Sequence, residues 1–516
     1  MRCAIFALTL CAAPLAAEPP LSAIDWLSES LSQPPRFVIT PPSPLPNLWG
    51  NHLIISSALD LVSRDAAGLL STDITGFPTR LWGDMPADAV IAALQNHQPR
   101  GVIELHKLYR NILLAQADPP IDTTTHLSPL MVRIDLLIEL GAMDEAETLI
   151  GLAGVTEPEV FKRWFDVAVL ANRTLSVCNA LTKNPDLSDD ISVRVICLAR
   201  GGDWNAAAIT LSLSASIGDV ERPREELLIQ FLDPELFAGV ENPAVPDPLT
   251  AIDFALREAL GMPRPNGTLP LMFLSVDMGL QIPQRRRMEA AERLVQSAAI
   301  PTALLFAAYR GGRPASSGGI WERANAVQNL DKALIGQDDV VLADALAKAY
   351  HELGEIGLIP AMAEEYADAL AHRDCTDDLA SVAHIVQSLL LLENTPIAAW
   401  SDSETENESD IEMARILASQ IPVLGLSPYD DPILTAIHAA FADQIPQLGE
   451  YDQNKLLVES GNIGAAVLKA TDLLSDGRSG DPAFIHEGLF ILRKAGLEDS
   501  ARRAAIQILL LPLEAP

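Results

Sequence analysis

His351 and Glu352 open the pattern of a zinc-peptidase helix, but Glu355 stands where a second histidine, one turn on, would complete it. With one imidazole missing, the metal-activated water of such enzymes has no site here. His372-Arg373-Asp374-Cys375, followed by Asp377 and Asp378, offers nitrogen, sulfur and oxygen donors, and reads equally as an acidic helix terminus. His52, His106, His384 and His438 are scattered. Glu459-Ser460-Gly461 is the nearest string to a glycan-cleaving general acid, and it falls on a turn that has a structural explanation of its own. There is no Gly-x-Ser-x-Gly elbow and no glycine-rich phosphate loop. These observations predict a protein that is not an enzyme and that takes no metal and no cofactor.

Two stretches suggest binding. The first runs Tyr309-Arg310-Gly311-Gly312-Arg313-Pro314-Ala315-Ser316-Ser317-Gly318-Gly319-Ile320-Trp321, preceded in the same block by Arg285-Arg286-Arg287. Arginine and tryptophan anchor many interfaces. Arg285, Arg286, Arg287, Arg310, Arg313 and Trp321 are therefore the candidate binding residues, a cationic spot for a carboxylate, a phosphate or an acidic partner. The alternative is a long interhelical loop whose arginines satisfy neighbouring acids. The second stretch holds Asp402, Glu404, Glu406, Glu408 and Asp410 without a basic residue. It lacks the central glycine and spaced terminal glutamate of a calcium loop, and reads as a solvated linker.

The chain carries 36 basic against 69 acidic residues, a net charge of −33. Such a surface repels nucleic acid and anionic lipid. Arg2, the apolar run Cys3–Ala13 and the small residues before Glu18 predict a secretory signal peptide cleaved after Ala17, hence a periplasmic protein. Leu8-Thr9-Leu10-Cys11 is a poor lipobox, and no later run is apolar enough to span a bilayer. Cleavage leaves Cys178, Cys197 and Cys375. Cys178 and Cys197 lie equidistant from a turn near Leu187, which places them level on antiparallel helices. Export permits a disulfide there, and two buried thiols are the alternative.

What must position these residues is a helical frame. An apolar residue, a glycine four positions on and an alanine five beyond it recur at Leu137/Gly141/Ala146, Cys197/Gly201/Ala206, Leu457/Gly461/Ala466 and Leu492/Gly496/Ala501. The glycine stops one helix in the left-handed conformation, and the alanine lets the next helix pack back closely. Asn172 can serve as a further stop. Helical periodicity runs over Ala87–Leu94, Val102–Ala115, Pro129–Leu140, Asp144–Leu149, Pro158–Leu170, Thr174–Leu181, Ile191–Ala199 and Trp204–Leu213. It resumes over Leu249–Leu260, Arg285–Ala299, Ala303–Tyr309, Ile320–Leu334, Asp339–Leu353, Ile359–Ala371 and Leu379–Leu392. The expected class is all-α, a right-handed superhelical solenoid of antiparallel helix pairs. The boundaries are a signal peptide 1–17, an extended Pro-rich segment 18–85, a helical-repeat block 86–241, a central block 249–395 with the Gly/Arg loop, an acidic linker 396–411 and a C-terminal repeat block 412–516.

Leu137–Ile150, Leu457–Leu468 and Leu492–Ile506 resemble tetratricopeptide repeats, although the aromatic residues of the family's first helix are mostly missing. The resemblance covers about a third of the chain. It implies a concave superhelix that binds peptides or proteins, and it carries over no catalytic residue. Arg163-Trp164-Phe165-Asp166-Val167 and Ala199–Ala207 are similar to segments of an exported alphaproteobacterial family to which no function attaches. The expected function is a non-catalytic periplasmic scaffold or adaptor that holds a protein or peptide. The rivals are an envelope enzyme acting on peptidoglycan, which would need an acid of raised pKa in a pocket, and a subunit of a homo-oligomer.

Overall fold

Helices and the turns between them make up the whole of what the computed structural model describes: residues 63–97, 99–122, 128–237, 242–279, 281–314, 318–395, 400, 431–446, 451–479 and 481–510. The expected signal peptide, the Pro-rich stretch from Pro34 to Pro46 and the acidic run from Asp402 to Asp410 lie outside the described residues. Among the described residues there is no strand, only an isolated bridge between Leu70 and Ala115. The protein is all-α.

The first limb holds α1 (Ala87–Asn96), α2 (Ile103–Leu114), α3 (Pro129–Leu140), α4 (Met143–Ala153), α5 (Pro158–Leu170), α6 (Leu175–Lys183), α7 (Ile191–Arg200), α8 (Trp204–Ile217), α9 (Arg222–Leu232) and α10 (Ala251–Ala259). The second holds α11 (Gln284–Gln296), α12 (Thr302–Arg310), α13 (Ile320–Ile335), α14 (Asp339–Gly354), α15 (Ile359–Ala371) and α16 (Ala383–Leu392). The third holds α17 (Pro432–Phe441), α18 (Tyr451–Glu459), α19 (Ile463–Ser479), α20 (Pro482–Lys494) and α21 (Glu498–Leu510). Starts are written in the sequence. Ser128, Asp431 and Asp481 each accept a backbone N–H in the first turn and are each followed by proline, whose missing N–H costs nothing there.

The stops follow the repeated spacing, with one correction. Gly141, Gly461 and Gly496 have φ of 83°, 78° and 86°. In each case the next N–H reaches back to the apolar residue of the motif: Ala142 to Leu137, Asn462 to Leu457 and Leu497 to Leu492. Asn172 takes the same conformation at φ 53°. Gly201 does not, with φ −75°. Gly202 turns left-handed at 88°, Asp203 N–H bonds Leu198, and Ala207 rather than Ala206 is fully buried. The second copy is therefore Leu198/Gly202/Ala207, the same spacing moved one residue along.

Consecutive helices pair, most extensively α7 with α8, α13 with α14, α15 with α16 and α19 with α20. Cys178 on α6 and Cys197 on α7 are joined as a disulfide with a Cα separation of 5.2 Å. On the loop-entropy account such a bridge contributes about 3 kcal/mol. Pairs also meet non-neighbours. α5 packs on α10, α16 on α21, and α2 on both α19 and α21. Glu104 N–H donates to Gln507 at 3.0 Å, Arg503 pairs with Glu104 at 3.1 Å, and Arg100 pairs with Asp476 at 2.6 Å. Before α1, Leu81 and Trp82 are buried, and Leu81 C=O accepts from Gly464 N–H at 2.8 Å. Gly464 leaves room for the Trp82 indole: a Cβ there would come within 2.6 Å of it. The early and late helices thus share one hydrophobic core, whereas a strictly linear array has contacts only between neighbours.

Candidate functional site

The arginines of the central block do not converge. Arg285 spans one turn of α11 to Glu289 at 2.8 Å, on the surface. Arg286 reaches Asp277 at 2.7 Å and Glu258 at 2.9 Å, and Arg264 binds the same two carboxylates from the other side. Burial lifts the Asp277 carboxyl above its ordinary range, against the pull of Arg264. Arg310, at the end of α12, grips Asp331 through two bonds of 2.8 Å and Glu365 at 2.7 Å, with its guanidinium over the Phe306 ring. Those bonds, Asp331 first, hold its charge in place. Arg287 lies against the Gly311 backbone, Arg313 is exposed, and neither has an ion pair among the described residues. Trp321 is half-buried and packs on the core. Gln328 donates to Tyr309 C=O at 2.7 Å and Gly312 C=O at 2.8 Å, which pins the start of the loop.

The other chemical suspects are also apart. His351 and Glu355 are exposed and 3.6 Å from each other. Cys375 is half-buried, and burial, then Asp377, pushes its thiol up, the opposite of an activated thiolate. Glu459 pairs with Lys455 on the surface of α18 at 3.2 Å. Among the described residues no group of three or more His, Cys, Asp or Glu is placed to hold a metal, and no helix is long and apolar enough to cross a membrane.

A different region gathers groups around open space. Two adjoining clefts of about 530 and 440 Å³ lie along the outer stripe of α5 and share Asp166 and Met272. Their size suits a bound side chain or short segment. α5 buries Phe161, Phe165 and Ala168 in the core and turns Glu159, Lys162, Arg163 and Asp166 toward the opening, as period 3.6 requires. The smaller cleft is walled by Val132, Asp135, Leu136 and Glu139 of α3. The larger is walled by Ser188-Asp189-Asp190, by Val193 of α7, by Arg224 of α9 and by Ala251 and Ile252 of α10. Phe165 and Met272 give the larger cleft an apolar floor.

The cations around these clefts are mostly committed. Arg163 holds Asp135 through two bonds of 2.7 Å. Arg224 holds Asp253 at 2.9 and 2.8 Å, with Thr250 donating to the same carboxylate. Burial opposes the charge on Asp253, and Arg224 and Thr250 overcome it. Asp166 differs. It is half-buried and has no hydrogen bond or direct ion pair among the described residues. Its carboxyl is pushed up to about 6 by burial, with Asp135 and Asp190 adding to the shift and Lys162 and Arg163 opposing it. Glu139, on the smaller cleft, moves the same way by burial and then by Asp135. Asp166 stands inside the segment Arg163–Val167. The one sequence signal for it is an acid between two core residues of a helix, Phe165 and Val167. No family model, no curated protein and no solved structure matches this chain.

Proposed function

We propose that the protein is a non-catalytic scaffold of the periplasm that holds a protein or peptide partner on a helical-repeat frame, with Asp166 at the centre of the contact. The observation that carries this reading is the pair of clefts along α5: space, an apolar floor and a carboxylate without a partner, on a chain whose arginines are largely taken up by its own acids. The pairing of consecutive helices supports a superhelical repeat of tetratricopeptide type as the frame. The contact chemistry differs from that of a cationic loop. A lysine or arginine of the partner would restore the charge balance of Asp166, and an adjoining apolar side chain would cover Met272, which is half-buried. Envelope assembly, secretion and motility are settings in which an exported adaptor of this kind works.

The test is affinity purification of the mature chain from its own periplasm after mild crosslinking. A stoichiometric partner that is retained by Arg310→Ala/Arg313→Ala and lost, by tenfold or more, in Asp166→Lys is the expected outcome. A partner lost in the arginine variant and kept in Asp166→Lys would return the contact to the loop. A second reading, an envelope enzyme acting on peptidoglycan, is favoured by the same raised Asp166 carboxyl, which suits a general acid. Release of soluble fragments from purified peptidoglycan by the wild type and not by Asp166→Asn would establish it in place of the scaffold.

A further inference from the structure

The smaller cleft along α5 holds more acids than it can ionise cheaply. Its charged lining residues are Asp135 and Glu139 of α3 and Arg163 and Asp166 of α5, three acids to one arginine. Arg163 is already held by Asp135 through two bonds of 2.7 Å. Asp166 and Glu139 are left, neither carboxyl with a hydrogen bond or direct ion pair among the described residues. Val132, Leu136 and Met272 bring apolar surface to the same space. Two carboxylates that face one partly apolar cleft repel, and a proton on one of them is the simplest relief. A cationic side chain is the other. We propose that this cleft is an exchange site: it takes up a lysine or arginine side chain of the partner in place of a proton on Asp166, and gives that side chain up again on acidification. The inference rests on the reading of the cleft as the partner contact.

The charges packed around Asp166 set the direction of the exchange. Burial holds its carboxyl up at about 6, Asp135 of α3 and Asp190 at the start of α7 add to this, and Lys162 and Arg163 on its own helix pull the other way. Burial, then Asp135, raises Glu139 as well. Glu159, Asp186 and Asp189 are exposed. The other charges nearby are engaged elsewhere. Arg224 of α9 is held by Asp253 of α10, and Arg257 and Glu258 of α10 by Pro243 C=O and Arg264. Arg133 of α3 donates to the Leu113 and Ala115 carbonyls. The acids of α4 turn to Arg110 and Arg173, and α6 carries only Lys183, exposed at its end. Among the described residues no histidine lines either cleft, so titration here belongs to the carboxyls. A cation bound beside Asp166 favours its ionised form. Binding therefore expels the proton, and protons in turn expel the cation. Affinity is full above about pH 7 and falls as pH drops through the folded value, approaching about tenfold per unit.

Calorimetric titration of the full chain with the peptide Ala-Leu-Arg-Leu-Ala tests it. The peptide is capped at both ends, so nothing in it titrates between about pH 5 and about pH 8. The expected result is a Kd that rises about tenfold from about pH 7 to about pH 5, with an unchanged circular dichroism spectrum. Buffers of different ionisation heat should show up to about one proton released per peptide bound, a readout that needs no variant. Asp166→Asn should weaken binding tenfold or more at neutral pH and leave a Kd that no longer depends on pH, and Asp166→Glu should restore the dependence. Glutamate in place of the peptide's arginine should abolish binding. Equal affinity in acid and at neutral pH, with no proton released, would overturn the exchange and leave the partner contact standing. An Asp166→Asn chain that keeps the pH dependence would also overturn it, by placing the proton elsewhere. A wild type that binds the arginine peptide at no pH would remove both the exchange and the reading of the cleft on which it rests.

Discussion

The central block and the cleft along α5 handle charge in opposite ways. In the central block every deeply placed acid meets a guanidinium. Glu292 is held by Arg323 at 2.7 and 2.8 Å and by the Tyr309 hydroxyl at 2.7 Å, and Asp277 is held by Arg264 and Arg286. Along α5 the arginines are likewise paired, but Asp166 is left over, half-buried, with its carboxyl pushed up to about 6. A buried charge that is paired is part of the frame. One left without a partner lowers stability, and sequences retain such groups mainly where a ligand or a reaction uses them. Arginine-rich loops attract attention in a sequence, and here the informative residue is the single acid elsewhere.

The largest expected effect tests the first half of that contrast. Arg323→Met removes the cation and leaves Glu292, 7% exposed, without a counter-charge. The loss should be about 3–5 kcal/mol, read from the urea midpoint. Arg323→Met/Glu292→Leu should recover much of it, since an apolar pair of similar volume often replaces a buried ion pair at little cost. A single variant that costs less than about 1 kcal/mol would mean that pairing does not hold this block, and the contrast with α5 would fall.

Asp166→Asn tests the second half, with a smaller effect of opposite sign. The folded carboxyl titrates at about 6 and its ordinary value is 3.8. Between those values the unfolded chain has given up the proton and the folded chain still binds it. Stability therefore falls as pH rises through that window and levels off above it. The full shift corresponds to roughly 3 kcal/mol, which solvent screening of a half-buried group reduces to about 1–2 kcal/mol. Asp166→Asn should be more stable than the wild type by that amount at neutral pH, with the difference shrinking toward pH 4 in denaturation series. No gain at neutral pH would show that Asp166 has found a counter-charge, and the cleft would lose its distinguishing group.

Local structure was legible in the sequence, and long-range structure was not. Pro129–Leu140, Pro158–Leu170 and Ile359–Ala371 are helices with the bounds that caps and periodicity predict. The doubled Gly201-Gly202 and Ala206-Ala207 hid the register of one repeat, because either glycine satisfies the spacing and only the backbone shows which is left-handed. Arg222–Leu232 is a helix that no predicted span covers: Arg222-Pro223-Arg224-Glu225-Glu226 opens it with charge, and only Leu227 and Leu228 supply a buried apolar pair. The packing of Glu104 against Gln507 and Arg503 joins parts of the chain about 400 residues apart, and neither end carries a pattern that names the other. Asp166 was missed for the same reason. Its significance comes from α3, α7 and Met272 around it, not from its neighbours in the chain.

Arg310 and Arg313 make the smallest and sharpest comparison. They stand three residues apart, Arg310 as the last residue of α12 and Arg313 in the glycine-rich loop that follows, and no rule of spacing or composition separates them. Their surroundings do. Arg310 reaches Asp331 and Glu365 on two other helices and lies 5.6 Å from the centre of the Phe306 ring. Arg313 faces solvent. Arg310→Ala should cost about 1 kcal/mol, since its network is bidentate but partly solvated. Arg313→Ala should stay within about 0.5 kcal/mol of the wild type. Urea midpoints of the two variants measured side by side decide the matter. Equal, negligible losses would mean that the ion pairs around Arg310 do no structural work, and its guanidinium would again be available to an acidic partner. The predicted inequality assigns Arg310 to the frame and leaves Arg313, of the two, as the residue free to meet a partner.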